Sequence, residues 1–332
     1  MKRLPLVMAA LAAVTLLPGC ARETDSARAG GADIVIGASI PLSGALASIG
    51  GAQKWGYEHA VTEINAAGGI MLDGTQHRAR LVLLDDRSDA NLVGSNIDAL
   101  VAAHKAVALL GSCTSPLVIA GAVAAERNST PLVSGCAPLV SFTSARQWTW
   151  AWDIHYFETD LAAAPFQTLQ DLAVTTNHRI AILHDNSADG TALGGTVWPA
   201  LAKQQGYTVA VNVEFATDTT DFSALVQQAK SARADVLLVD AVTAQAASIR
   251  KQLATSRYTP RVLVMERGAE AQQFAAVAGG LADGVLFGGY WDASFAYPGA
   301  AALKSAYVAA EKRSVSQHIA GSYTAARVLL DA

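Results

Sequence analysis

From Asp33 onward the chain alternates short apolar runs with longer stretches of helical period. IVIGASI (34–40), ARLVLLD (79–85), AVALLG (106–111) and PLVSG (131–135) are such runs. Between them, residues 47–67, 90–104 and 117–127 place apolar side chains at helical spacing, the first closed by Gly68-Gly69. Runs that are apolar throughout predict strands buried on both faces of a parallel sheet, with right-handed crossovers placing helices on both sides. TWAWDIHYF (149–157) breaks the rhythm. It is aromatic and polar at Asp153, and it reads as an extended crossover. The alternation restarts with strands RIAILHD (179–185), TVAVNVEF (208–215), DVLLVD (235–240), RVLVME (261–266) and GVLFGG (284–289). Helices are predicted between them at about 190–205, 221–232, 244–256 and 269–278. A second break, GGYWDAS (288–294), precedes helices near 298–312 and 321–330.

This pattern predicts an α/β protein of two doubly wound parallel-sheet lobes joined by crossover strands. Residues 33–150 form the first lobe, 151–289 the second, and 290–332 return to the first. About 300 residues exceed a single core, in keeping with two lobes. In such sheets ligands bind beyond the carboxyl ends of the strands, which here face a shared gap. The last helical stretch has no Gly or Asn after it to cap its carbonyls, so the C-terminal end is expected to be incomplete.

The amino terminus has its own pattern. Lys2 and Arg3 precede an apolar core from Leu6 to Leu17, shorter than the roughly 20 residues that span a bilayer. Leu17-Pro18-Gly19-Cys20 resembles a bacterial lipobox, which implies a signal peptide over 1–19 and lipidation of Cys20. A plain secreted protein is the alternative. Residues 20–32, rich in Gly, Ala, Ser and charge, read as a flexible tether. The full sequence has 24 Lys+Arg against 28 Asp+Glu; loss of Lys2 and Arg3 with the signal leaves 22 against 28. That acidic balance argues against nucleic acid as a partner and against a polybasic membrane patch.

The stretches IVIGASIPLSGALASIG and GYEHAVTEINAAGGI, then LLGSCTSPLVIAGAVAAERNSTPLVSGCAP and TDTTDFSALVQQAKSARADVLLVD, carry a family likeness. Together they resemble the type I periplasmic solute-binding proteins, the branched-chain amino acid and amide receptors of ABC transporters. The resemblance runs from about Asp33 to the last residue. It implies a bilobed, Venus-flytrap receptor outside the cytoplasm, closing on one small solute by hinge bending. Its implied partners are an ABC permease and ATPase subunits, with the membrane reached through lipid on Cys20. A sensor presenting solute to a signalling partner is the second reading, since one fold serves both.

The candidate ligand residues lie in loops after the strands. In the first lobe they are Ser43, Thr114, Ser115, Cys136 and Ala137. Ser115-Pro116 opens a helix, whose exposed N–H groups and hydroxyls suit a carboxylate or another acceptor. Ser115 as a simple cap, and Ser43 as ordinary turn chemistry, are the competing readings. In the second lobe the candidates are Asp189, Gly190, Asp240, Gln245, and Glu266 with Arg267. The resemblance implies an aromatic residue where Asp189 stands and an acidic one near Gln245, so this chain departs from the amino-acid-binding members. Asp189 or Asp240 takes an ammonium group, or else the solute is an amide, urea-like or aromatic molecule. Asp189 as a helix cap is again the competing reading. Trp152, Tyr156, Tyr290 and Trp291 lie in or beside the crossovers, to wall the cleft or pack the hinge.

Cys113 and Cys136 follow strands expected to be neighbours, so they are a candidate disulfide; two buried thiols are the alternative. The seven histidines show no paired spacing and there is no Cys-x-x-Cys, so no metal is expected. No Gly-x-Gly-x-x-Gly, P-loop or Gly-x-Ser-x-Gly elbow is present, so no cofactor is expected and an enzyme is the weaker class. Asp85-Asp86 reads as loop or capping acids rather than a catalytic pair.

Overall fold

The computed structural model describes residues 30–269 and 272–332. The signal stretch, Cys20 and most of the tether lie outside the described residues. The first lobe runs β1 (Ile34–Ile40), α1 (Ala47–Ala66), β2 (Ile70–Leu72), β3 (Thr75–His77), β4 (Ala79–Asp85), α2 (Ala90–Ala102), β5 (Ala108–Leu110), α3 (Ser115–Asn128), β6 (Leu132–Ser134), α4 (Leu139–Ala145) and β7 (Ala151–Asp153). The second begins with α5 (Glu158–Asp171), β8 (Arg179–Asp185) and α6 (Ala188–Gly190), which runs through a π-helical turn into α7 (Trp198–Gln204). It continues with β9 (Thr208–Phe215), α8 (Ser223–Ser231), β10 (Val236–Asp240), α9 (Thr243–Thr255), β11 (Val262–Met265), α10 (Glu266–Ala269), α11 (Gln272–Ala278) and β12 (Val285–Leu286). The chain then adds α12 (Ala300–Glu311) and α13 (His318–Asp331).

Among the described residues there are two parallel five-stranded sheets, ordered β4-β1-β5-β6-β7 and β9-β8-β10-β11-β12. Both follow one doubly wound plan: the first strand lies inside, the second on one side and the third on the other. The strand order therefore reverses between β1 and β5 in one lobe and between β8 and β10 in the other. Crevices for ligands open at such switch points.

Why the strands are apolar throughout is visible in the cores. Val35 and Leu109 pack with Val93, Ile97, Leu100, Leu117 and Val118 of α2 and α3 on one face of the first sheet. Ile36, Ala38, Ile40 and Leu110 pack on the other face with Tyr57, Ala60, Ala325 and Leu330 of α1 and α13. The second sheet repeats this. Ala181, Leu183, Leu237 and Val239 meet Phe222, Val226, Ile249 and Phe274; Ile180, Ile182, Val236 and Leu238 meet Phe166, Leu169 and Trp198. Successive strand residues face opposite sides, so both parities must be apolar.

Four local features differ from the sequence pattern. Ala151–Asp153 pairs in parallel with β6, so the first sheet takes its edge strand from the stretch read as crossover and extends past residue 150. Helix α5 fills a span where the pattern predicts nothing. Pro165 sits inside it and removes a helical N–H, which masks the helix. The hairpin β2–β3 turns through Asp73-Gly74, whose φ values of 49° and 74° suit a two-residue turn with both central residues left-handed. Glu266, expected at the end of a strand, instead opens α10.

Candidate functional site

At the first switch point the chain leaves β5 through Gly111-Ser112-Cys113-Thr114 and enters α3. Buried Gln53 fixes this exit, its Nε2 donating to the carbonyls of Gly111 at 3.0 Å and Ser112 at 2.8 Å; the Tyr57 hydroxyl adds a bond to Gly111 O at 2.7 Å. Thr114 is left-handed, with φ 70°. Two ties to the next loop hold it there: its N–H donates to Cys136 O at 3.1 Å, and Cys113 and Cys136 form a disulfide with Cα atoms 4.9 Å apart. Ser115, fully buried, then starts α3 with Pro116 behind it. The first N–H groups of a helix have no partner within it.

The partner comes from the other lobe. The Ser115 N–H donates to Asp189 Oδ2 at 3.3 Å, and the Ser115 hydroxyl donates to Asp189 Oδ1. Asp189 lies on α6, where the chain folds back tightly over the end of β8. A Cβ at Gly190 would collide with the Asp185 carbonyl, so this close return needs glycine. β8 ends in Asp185 and β10 in Asp240. Arg267 of α10 lies among the three acids: Nε donates to Asp240 Oδ1 at 2.7 Å, Nη2 to Asp185 Oδ2 at 2.8 Å, and Nη1 is 3.6 Å from Asp189 Oδ2. Asp240 Oδ2 is buried and accepts no hydrogen bond from the described residues. Burial pushes the carboxyls of Asp189 and Asp240 upward against the lowering pull of Arg267. Burial likewise disfavours the guanidinium charge, but the three aspartates outweigh it and hold Arg267 protonated.

The crossovers add an aromatic floor. The His155 ring lies 4.3 Å from Tyr156 and 4.5 Å from Tyr290, and the two tyrosines are 5.2 Å apart. The Tyr290 hydroxyl is 2.9 Å from His318 Nδ1. Burial, with the His318 charge acting the same way, pushes His155 down to about 3, so this ring is neutral at pH 7. Glu266 accepts the Gly288 N–H at 3.1 Å, tying α10 to the second crossover. Together these groups enclose a cavity of about 50 Å³, room for a few waters. A larger cavity of about 780 Å³ shares His155, Tyr156 and Tyr290 with the small one and extends among His59, Glu63, Trp291, Tyr297 and Leu303.

Of the residues expected at the site, Thr114, Cys136, Tyr156, Asp189 and Glu266 line the small cavity, as does Arg267. Ser115 reaches it through Asp189. Asp240 is not in its lining and holds Arg267 from behind. Three expected residues are turned to other partners. Ser43 is exposed and donates to Asp85 Oδ2 at 2.6 Å. Ala137 is buried, with its N–H on Asp153 at 3.3 Å. Gln245 donates to Thr217 O at 2.9 Å. Gly190 shapes the backbone without lining the cavity. Trp291 packs beside Leu303, Tyr307 and Ile319, and Trp152 is half exposed. His155, Thr243, Gln317 and His318 also line the cavity. His155 had a signal in its place within the aromatic crossover. Gln317 and His318 had none, because only the return of α13 to the first lobe brings them there.

The periplasmic binding protein family matches residues 33–332. The chain belongs to that family. The binding protein is 26% identical over 277 residues to the Leu/Ile/Val-binding protein homolog 7 of Brucella melitensis, covering 82% of its own length and 66% of that relative's. It thus spans just under two thirds of that curated relative. Among solved structures, it resembles a leucine-binding protein, LivK, from Thermotoga maritima, with a TM-score of 0.78, 22% identity, and 90% of this chain and 82% of that one covered. It also resembles the branched-chain amino acid substrate-binding protein LivJ of Streptococcus pneumoniae, solved with isoleucine, with a TM-score of 0.77, 24% identity, and 90% and 83% covered. At these identities the structural likeness establishes the bilobed type I fold of the binding protein.

Proposed function

We propose that this binding protein is the extracytoplasmic solute receptor of an ABC importer, anchored through lipid on Cys20, and that it closes its lobes on one small amino-acid-like or amide solute. The observation that carries the reading is the convergence of both switch points and both crossovers on one cavity, with Ser115 and Asp189 in contact across the gap. A cavity of about 50 Å³ is far below the roughly 300 Å³ of common ligand pockets. Solute entry therefore requires the lobes to part and the Ser115–Asp189 contact to adjust. Hinge closure of this kind presents a different surface to a permease when solute is held. Tyr156, Tyr290 and His155 favour a solute with an apolar or flat body, in keeping with aromatic or urea-like molecules as a second class.

Native mass spectrometry of the protein purified from its own host tests the reading. A single small molecule at unit stoichiometry, with a more compact scattering profile in its presence, is expected. No bound molecule, and no change in compactness or melting temperature with host extract, refutes the receptor role. For the anchor, Cys20→Ser should move the protein from the membrane to the soluble fraction; retention in the membrane refutes lipidation.

A further inference from the structure

The start of α3 already holds a carboxylate, and that carboxylate belongs to the protein. Asp189 is 3% exposed and takes both the backbone N–H and the hydroxyl of Ser115. A solute carboxylate takes these donors only by displacing Asp189, and the displaced carboxylate then stays beside it in the same cleft. The surroundings do not favour a second anion. Asp185, Asp189 and Asp240 share one guanidinium, and Asp240 keeps an oxygen with no partner among the described residues. The buried group is therefore acid-rich, three carboxylates to one cation. His155 on the cavity floor is neutral, so the basic groups of the lining are Arg267, already shared by the three aspartates, and His318, whose Nδ1 lies 2.9 Å from the Tyr290 hydroxyl. Glu266 adds another acid to the lining. A further carboxylate would be buried beside like charges, whereas a cationic nitrogen would be buried beside opposite ones. Tyr156 and Tyr290 line the same space, and aromatic rings of this kind attract cations.

We infer that Asp189 is a specificity-determining residue, and that the cleft selects solutes bearing a cationic nitrogen and no carboxylate, such as organic amines and amidines. This rests on the receptor reading and replaces its amino-acid-like solute with a carboxylate-free amine. An α-amino acid satisfies half of the site and is rejected by the other half; its decarboxylated amine satisfies both.

Matched probes test this on the full chain, freed of copurified solute by partial unfolding and refolding. Isothermal titration would compare isoamylamine, leucine and isocaproate, and in parallel phenethylamine, phenylalanine and hydrocinnamate. In at least one set the amine is expected to bind 10-fold or more tightly than the amino acid, and the acid weakest. Asp189→Asn should weaken the amine by 10-fold or more and strengthen the acid. Asp189→Ser, which frees the Ser115 donors, provides a second variant should the first fold poorly. Tighter binding of an amino acid or acid by the wild type overturns the inference, as does an order unchanged in both variants. A silent panel overturns it too. The receptor reading is judged separately: a carboxylate-bearing molecule copurifying from the host upholds the receptor and sinks this inference.

Discussion

Replacing Arg267 by Met asks how much the second lobe depends on one guanidinium. Arg267 is 16% exposed and bonds Asp240 at 2.7 Å and Asp185 at 2.8 Å, with Asp189 at 3.6 Å. Met retains an unbranched apolar stem but removes every donor and the charge. Removing one partner of a buried ion pair costs about 3–5 kcal/mol, because the remaining charge keeps its desolvation penalty without its attraction. A domain of roughly 150–250 residues loses about 2–4 °C in Tm per kcal/mol, which gives a fall of about 10 °C at pH 7.5. The pH dependence follows from the direction of the shifts. Asp189 and Asp240 already bind protons more tightly folded than unfolded. Without Arg267 that preference grows, so the variant gains stability as pH falls and its deficit should shrink at pH 5. Thermal unfolding by circular dichroism at both pH values reads this directly. Arg267→Met combined with Asp240→Asn should be less unstable than the two single losses added together, since the second change removes an acid the first has stranded. A Tm within about 2 °C of wild type at pH 7.5, or a deficit that widens at pH 5, refutes the account.

Three further outcomes follow from the same contacts. Reducing the Cys113–Cys136 bridge frees a loop with a sequence separation of 23; loop-closure entropy predicts a loss of about 3 kcal/mol, visible as a lower Tm in phosphine reductant and absent in Cys113→Ser/Cys136→Ser. Glu158, 2% exposed, accepts Val140 N at 2.7 Å, Ser141 N at 2.6 Å and Ser141 Oγ at 2.7 Å. Glu158→Ala should therefore cost about 1–3 kcal/mol in urea unfolding by leaving buried donors unmet. Burial pushes Asp153 up to about 6, against the hydrogen bonds it accepts from His155 and Ala137 N–H. The folded state thus holds this proton more tightly than the unfolded one, so the contribution of Asp153 is present below its unfolded value of 3.8 and lost as pH rises through about 6. Across that window wild type should lose more stability than Asp153→Asn, as followed by Tm; parallel profiles refute it.

The sequence by itself determined the layered architecture. Strands such as Ile34–Ile40 must serve two cores at once, so both faces are apolar except at Ser39, whose hydroxyl accepts from Asn96 Nδ2, and that pattern survives in any sequence that builds such a sheet. It also marked the loops after the strands, because Thr114-Ser115-Pro116 and Asp189-Gly190 carry the chemistry of helix starts and tight turns whatever their neighbours. Helix α5 was hidden by Pro165, whose cost is met by the packing of Phe166 and Leu169 against β8 and β10, a long-range gain that no local pattern records. Only the tertiary structure decided what each site residue touches. Ser115 and Asp189 are 74 residues apart in the chain and share a hydrogen bond. Cys113 and His318 are 205 apart and line one cavity. Ser43 and Gln245, chosen by the same reasoning as Ser115, face elsewhere. Local sequence fixes which groups a loop can offer. The approach of two separately folded lobes fixes which of them are buried together, and burial sets the charge balance of the site.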